Sequence, residues 1–133
     1  MKVNVAATQM SCSWELSKNL EKAKNIIKRA AHEGANVILL QELFQSPYFC
    51  IEYDEKIFEL AQTFENNQVL EEMSLLCKEL NVVLPISYFE KSNNAYFNSI
   101  AVIDSDGTIL GNYRKSHIPD AAGYLEKYYF NPG

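Results

Sequence analysis

Val37-Ile38-Leu39-Leu40-Gln41-Glu42-Leu43-Phe44 is the stretch whose reading decides the fold. Apolar residues run without interruption from Val37 to Leu40, the first two β-branched, and a carboxylate then appears. Gly34 before the run ends a helical pattern, and Pro47 after it stops any continuation. A short apolar run bounded in this way reads as a strand buried on both faces, within a sheet that has helices packed on it. An ionised carboxylate is costly inside such a sheet unless it is paired. Glu42 is therefore expected just past the strand's C-terminal end, where open α/β sheets place their ligands. The stretch alone leaves a second reading open, a structural carboxylate facing solvent or an Arg or Lys.

Upstream, Met1 to Met10 reads as a first strand and Ser11 to Trp14 as a loop. Ser17 is the expected N-cap of a helix. Leu20, Ala23, Ile27, Ala30 and Ala31 follow at three- and four-residue spacing, with Lys18, Lys22, Lys24, Lys28 and Arg29 mostly on the other side. That pattern buries one face and solvates the other, and Gly34 is the stop signal. His32 at the helix end reads as a partner for the helix dipole. The order strand, helix, strand predicts a βαβ unit with parallel strands.

Downstream, Ser46 to Tyr53 is a loop whose aromatics either wall a pocket or cover the sheet edge. Short helices are expected over Asp54 to Phe64 and Asn67 to Leu80, with Cys77 on the apolar stripe of the second. The period then changes to that of strands at Val82 to Phe89, Tyr96 to Ile103 and Thr108 to Tyr113. The turns between them, Lys91-Ser92-Asn93-Asn94 and Asp104-Ser105-Asp106-Gly107, are hairpin signals. The fold class is thus α/β in the α+β sense, a mixed sheet with helices on one face. From Arg114 the chain turns polar and irregular, and it closes on Asn131-Pro132-Gly133, a turn that normally introduces another element.

With 133 residues, 47% of them apolar and 22% charged, the chain suits one soluble globular domain. A net charge of −5 argues against nucleic acid as a partner. Cys12, Cys50 and Cys77 are odd in number, widely spaced and free of zinc-type pairing, which fits a reducing cytoplasm and predicts no metal. No apolar run approaches the roughly 18–20 residues of a membrane span.

Lys115, just past another strand end, matches Glu42 in kind of position. A base and a cation presented from two strand ends can flank one carbonyl, the carboxylate taking a proton and the ammonium stabilising an oxyanion. Glu126 adds a second carboxylate that can position either group. A Glu–Lys ion pair without chemistry satisfies the same spacing.

The set Leu39–Phe44, Asn98–Gly107 (Asn-Ser-Ile-Ala-Val-Ile-Asp-Ser-Asp-Gly) and Tyr113–Pro119 (Tyr-Arg-Lys-Ser-His-Ile-Pro) resembles the nitrilase, or carbon–nitrogen hydrolase, superfamily. Pro47-Tyr48-Phe49-Cys50 and the tail Gly123–Gly133 narrow the resemblance to the N-carbamoylputrescine amidase branch, near the N-carbamoyl amino acid amidohydrolases and β-ureidopropionases. The resemblance implies an α-β-β-α sandwich, incomplete here, with residues 1–133 as the N-terminal portion of a single domain. It puts the general base at Glu42, the catalytic lysine at Lys115 and the supporting glutamate at Glu126. It also implies no cofactor, a small N-carbamoyl amine substrate and a cytoplasmic homo-oligomer. The family's nucleophile is a cysteine in a context that none of Cys12, Cys50 and Cys77 matches, so these residues alone are expected to be inactive. The alternatives are another N-carbamoyl amine or amino acid hydrolase, or a complete noncatalytic binding module.

Overall fold

The computed structural model describes residues 2–133. β1 (Val5–Ala7) and β2 (Val37–Leu39) pair in parallel, Val5 opposite Val37 and Ala7 opposite Leu39, with α1 (Leu16–His32) between them in sequence. The βαβ unit is present. Its first strand is shorter than the expected Met1–Met10, of which Met1 lies outside the described residues. β3 (Leu84–Ser92), β4 (Ala95–Ile103) and β5 (Ile109–Arg114) form an antiparallel meander. A parallel bridge from Val37 to Val83 joins the two ladders, with Ile38 N–H donating to the Val83 carbonyl at 3.0 Å. The first hairpin turns on Asn93-Asn94 alone, because β3 runs on to Ser92 opposite Ala95.

The helices begin and end for different local reasons. α1 starts at Leu16 with Glu15 in the cap position, two residues earlier than a Ser17 cap requires, and Glu15 makes no side-chain cap. Ser13 Oγ accepts from Glu15 N–H, and Asn19 Oδ1 accepts from Ser13 N–H at 2.8 Å. Buried Asn19 thereby organises the entry loop, and Ser17 is left within the first turn. The C-terminus follows the glycine signal. Gly34 (φ +91°) donates to Ala31 and Ala35 donates to Ala30, at 2.9 and 3.0 Å. These are the paired bonds of a Schellman ending.

α2 (Gln68–Leu80) is capped by Asn67, whose Oδ1 accepts from Val69 N–H at 3.0 Å and Leu70 N–H at 3.2 Å. The segment after Asp54 is a 3-10 helix, Glu55–Leu60, rather than one reaching Phe64.

α1 and α2 pack on one face of the strands. Leu20, Ala23 and Ile27 meet Val69, Leu70, Met73 and Cys77 above Ile38, Leu84, Ile86, Ala101 and Ile103. The lysine face of α1 is partly used to join the helices, with Lys24 paired to Glu72 and Lys28 to Glu79. The opening strand is buried on one face only. Ile38 and Leu40 lie in the core, whereas Leu39 is 45% exposed and shares its face with Val5, 77% exposed. No described element packs over that second face, so the apolar run is a one-sided strand here.

A second apolar cluster forms beyond the strand ends from Leu43, Phe49, Cys50, Ile57, Phe89, Tyr129 and Phe130. Phe49 stacks edge-on to Tyr129 at 5.0 Å, so the loop aromatic helps cover this cluster. The tail is more regular than its polar sequence suggests. It carries α3 (Glu126–Tyr129), and Leu125 N–H donates to the Cys50 carbonyl at 2.7 Å. Asn131 N–H then bonds Tyr96, and Gly133 N–H bonds the Lys115 carbonyl at 2.9 Å. A Cβ on Gly133 would fall 2.1 Å from the Arg114 carbonyl oxygen, so only glycine allows this approach.

Replacing Asn67 by Ala removes the acceptor for two N–H groups and is expected to cost about 1 kcal/mol, with Asp retaining most of it. Urea unfolding of both variants measures this. An unchanged midpoint for Asn67→Ala would remove the cap from the account of α2.

Candidate active site

Glu42 is held between two anchored neighbours. Gln41 ties the exit of β2 to that of β1, accepting from Met10 N–H at 3.0 Å and donating to the Met10 carbonyl at 2.6 Å. Leu43 takes a left-handed backbone (φ +53°), donates its N–H to Ser87 Oγ at 2.9 Å and buries its side chain in the second cluster. The turn they bracket presents the Glu42 carboxylate, half exposed, to a cleft of about 270 Å³. Leu39, Ser87, Asn98, Tyr113 and Lys115 also line it.

Lys115 enters this cleft from the end of β5, its N–H bonded to the Asn98 carbonyl at 2.8 Å. Glu126 comes from the first turn of α3 and is 3% exposed. The fold brings all three residues together. Lys115 Nζ donates to Glu42 Oε1 at 3.1 Å and to Glu126 Oε2 at 2.8 Å. Partial burial disfavours the ammonium, but the hydrogen bonds and charges of Glu126 and Glu42 outweigh it and hold the lysine above its ordinary value of 10.5.

The two carboxylates are not equivalent. Both oxygens of Glu126 are occupied, Oε1 by the Tyr48 hydroxyl at 2.9 Å and Oε2 by Lys115. Glu42 takes two donors on Oε1 alone, Lys115 and Asn98 Nδ2 at 2.5 Å. Its Oε2 has no hydrogen-bond partner among the described residues. An ammonium carries three N–H donors, so the two used on carboxylates leave one. The arrangement therefore offers a carboxylate oxygen able to accept a proton, beside an N–H able to meet an anionic oxygen.

Asn98 and Tyr48 are members of this site that the sequence reading did not single out. Asn98 carries a faint signal, a polar residue two positions before Ile100 on the same face of a largely apolar strand. Tyr48 was visible only as one aromatic of the Ser46–Tyr53 loop and its motif, and its bond to Glu126 was hidden because the two lie 78 positions apart. Burial, followed by its hydrogen bond to Glu126, pushes its hydroxyl pKa up, so Tyr48 remains a donor.

Cys50 lies near the same charges, but burial and then the Glu126 charge push its thiol up to about 12. Burial likewise pushes Cys77 to about 12 and raises Cys12, whose Sγ donates to the Phe44 carbonyl. None of the three is poised as a thiolate at neutral pH. Among the described residues no group of three or more His, Cys, Asp or Glu is arranged to hold a metal, and no helix is long and apolar enough to cross a membrane.

A profile of the carbon–nitrogen hydrolases matches residues 4–133. The chain belongs to the carbon–nitrogen hydrolase family. It is 51% identical over 131 residues to an N-carbamoylputrescine amidase of Solanum lycopersicum, covering 98% of this chain and 44% of that protein. It is 47% identical over 131 residues to a citrullinase of Francisella tularensis subsp. tularensis (strain SCHU S4 / Schu 4), covering 98% of this chain and 46% of the relative. The chain thus spans less than half the length of these relatives. A crystal structure of a carbon–nitrogen hydrolase from Helicobacter pylori G27 superposes with a TM-score of 0.91 at 36% identity, over 98% of this chain and 45% of the other. The mixed sheet with its two helices is the corresponding part of the nitrilase-superfamily fold.

Removing Lys115 leaves the Glu126 carboxylate buried without its counter-charge. Lys115→Met is expected to destabilise the fold by roughly 1–3 kcal/mol at neutral pH, less than a fully buried pair because the lysine is partly hydrated. Adding Glu126→Gln should return part of the loss. The raised lysine contributes stability that is fully present below 10.5 and lost as pH rises through its higher folded value. Denaturant midpoints against pH measure both effects. A double variant no more stable than Lys115→Met would refute the pairing.

Proposed function

We propose that this chain supplies the base, the cation and the supporting carboxylate of an amidohydrolase that cleaves a ureido carbon–nitrogen bond. Residues 1–133 are then the N-terminal portion of one carbon–nitrogen hydrolase domain. The favoured substrate is N-carbamoylputrescine, converted with water to putrescine, carbon dioxide and ammonia in polyamine synthesis. The observation that carries the reading is the asymmetry of the two carboxylates. Glu42 has a free oxygen at a cleft, and Glu126 is saturated.

A ureido carbonyl is deactivated by two nitrogens, so catalysis by a nucleophile suits it. Glu42 takes the proton of an attacking thiol, and the thiolate sulfur bonds to the carbonyl carbon. Lys115 stabilises the oxyanion with its remaining N–H. The intermediate collapses, and Glu42 returns the proton to the departing amine. Glu42 next activates water against the carbamoyl thioester. The thiol is regenerated, and the carbamate released falls to carbon dioxide and ammonia. Glu126, held by Tyr48, keeps Lys115 charged and in place. The thiol comes from outside these residues, which the raised pKa of Cys12, Cys50 and Cys77 supports. Residues 1–133 alone are accordingly inactive, and the working enzyme is a cytoplasmic homo-oligomer that needs no cofactor.

The 47% identity to a citrullinase favours a second reading, in which the ureido group belongs to an amino acid. The chemistry at Glu42 and Lys115 is the same in both.

Ammonia release by the full-length protein, with N-carbamoylputrescine and citrulline compared, tests these readings. Glu42→Gln and Lys115→Ala are each expected to lower kcat by about 10²–10⁴. Wild-type turnover in either variant would overturn the assignments, and hydrolysis by residues 1–133 alone would show that the nucleophile lies within them.

A further inference from the structure

A second charged cluster lies directly behind the site, on the opposite face of the same strands. Its centre is Glu90 of β3, 1% exposed. Arg114 grips it as a fork, Nη2 donating to Oε1 at 2.6 Å and Nε to Oε2 at 3.1 Å. Ser99 Oγ of β4 and Asn112 Nδ2 of β5 also donate to Oε2, at 2.5 and 3.0 Å. Asn112 is held in turn by the Tyr88 hydroxyl, and the guanidinium lies 4.0 Å over the Phe97 ring. Burial opposes ionisation of Glu90, but the bonds from Arg114, Ser99 and Asn112 outweigh it and keep the carboxyl below its ordinary value.

Alternation along a strand gives this cluster its relation to the site. Arg114 precedes Lys115, and Ser99 follows Asn98. The Ser99–Arg114 pair is the last of the β4–β5 ladder, and the next bond is Lys115 N–H to the Asn98 carbonyl. Lys115 and Asn98 are the two donors to Glu42 Oε1. Each is therefore one peptide unit from a residue clamped on Glu90. A buried ion pair is weak grounds for stability, since apolar packing often does as well. A rigid, bidentate fork does fix position and register.

We propose that Glu90 and Arg114 are positioning residues for the hydrolysis, setting the end of β5 against β4 so that Lys115 and Asn98 meet the Glu42 carboxylate. The proposal rests on the reading of Glu42 and Lys115 as the reacting groups. Glu90 itself touches no substrate, because it faces the helices.

Glu90→Gln and Arg114→Lys in the full-length protein test it. Gln keeps the size but loses the charge, and Lys keeps the charge but loses the fork. Each folded variant is expected to lose about 10–100-fold in kcat with little change in KM, the scale of a small misplacement at a reacting centre. Its Lys115 pKa, followed by carbon NMR of the side chain, should fall towards 10.5. Glu72→Gln, which breaks the pair between α1 and α2, should change stability alone. Wild-type kcat and wild-type Lys115 titration in folded Glu90→Gln would overturn the proposal. If Glu90→Gln fails to fold, the same two readouts on Arg114→Lys decide. If the wild-type protein hydrolyses no ureido compound, the functional reading fails, while the Lys115 titration still tests the clamp.

Discussion

Lys115 Nζ lies within hydrogen-bond distance of Glu42 and Glu126, so one positive charge is shared between two negative ones. Two carboxylates this close repel, and burial of Glu126 raises the cost of its charge. Without the ammonium the two carboxylates would lose the donor that bridges them. The three groups come from the end of β2, the end of β5 and the start of α3, which makes the pairing a condition on the whole fold. The tail must return over the second apolar cluster to deliver Glu126. The meander must end in register to deliver Lys115. The βαβ unit must place the turn at Glu42 beside them.

The sheet divides its labour by face. Towards the helices it carries Ile38, Leu84, Ile86, Ala101 and Ile103, and at the strand ends the Glu90–Arg114 network. Towards the cleft it carries Leu39, Ser87, Asn98, Tyr113 and Lys115. A one-residue slip in β5 would exchange the two sets, sending Arg114 into the cleft and Lys115 towards Glu90. Both are cations, so charge alone would not prevent the exchange. The fork geometry of the guanidinium, the additional donors on Glu90 and the Phe97 ring distinguish the two.

Much of this was legible in the sequence because it rests on local patterns. Gly34 ends α1 through a left-handed residue, the apolar stripe with Cys77 marks α2, and Asn- or Asp-rich turns close the hairpins. Glu42 and Lys115 were visible as charged residues following apolar strands, and Glu126 as a further carboxylate to which the family motifs gave a supporting role. What was hidden depends on contacts distant in sequence. Ser17 looked like a cap, but Asn19 draws the preceding loop into another arrangement. The run at Val37 to Leu40 reads as two-sided because composition does not report which face is covered. Tyr48 and Glu126, or Glu90 and Arg114, become partners only once the strands and tail are assembled.

Leu43 carries a further consequence. Its left-handed backbone is uncommon for a residue with a Cβ and is less favourable by about 1–2 kcal/mol. The Ser87 hydrogen bond and the buried side chain hold it there. Valine and isoleucine match leucine in hydrophobicity, yet their branched Cβ suits that backbone poorly. Glycine accepts the backbone and abandons the anchor. Position 43 thus answers to two opposing demands, and the aim of the neighbouring carboxylate restricts its repertoire far more than its place in an apolar cluster would suggest.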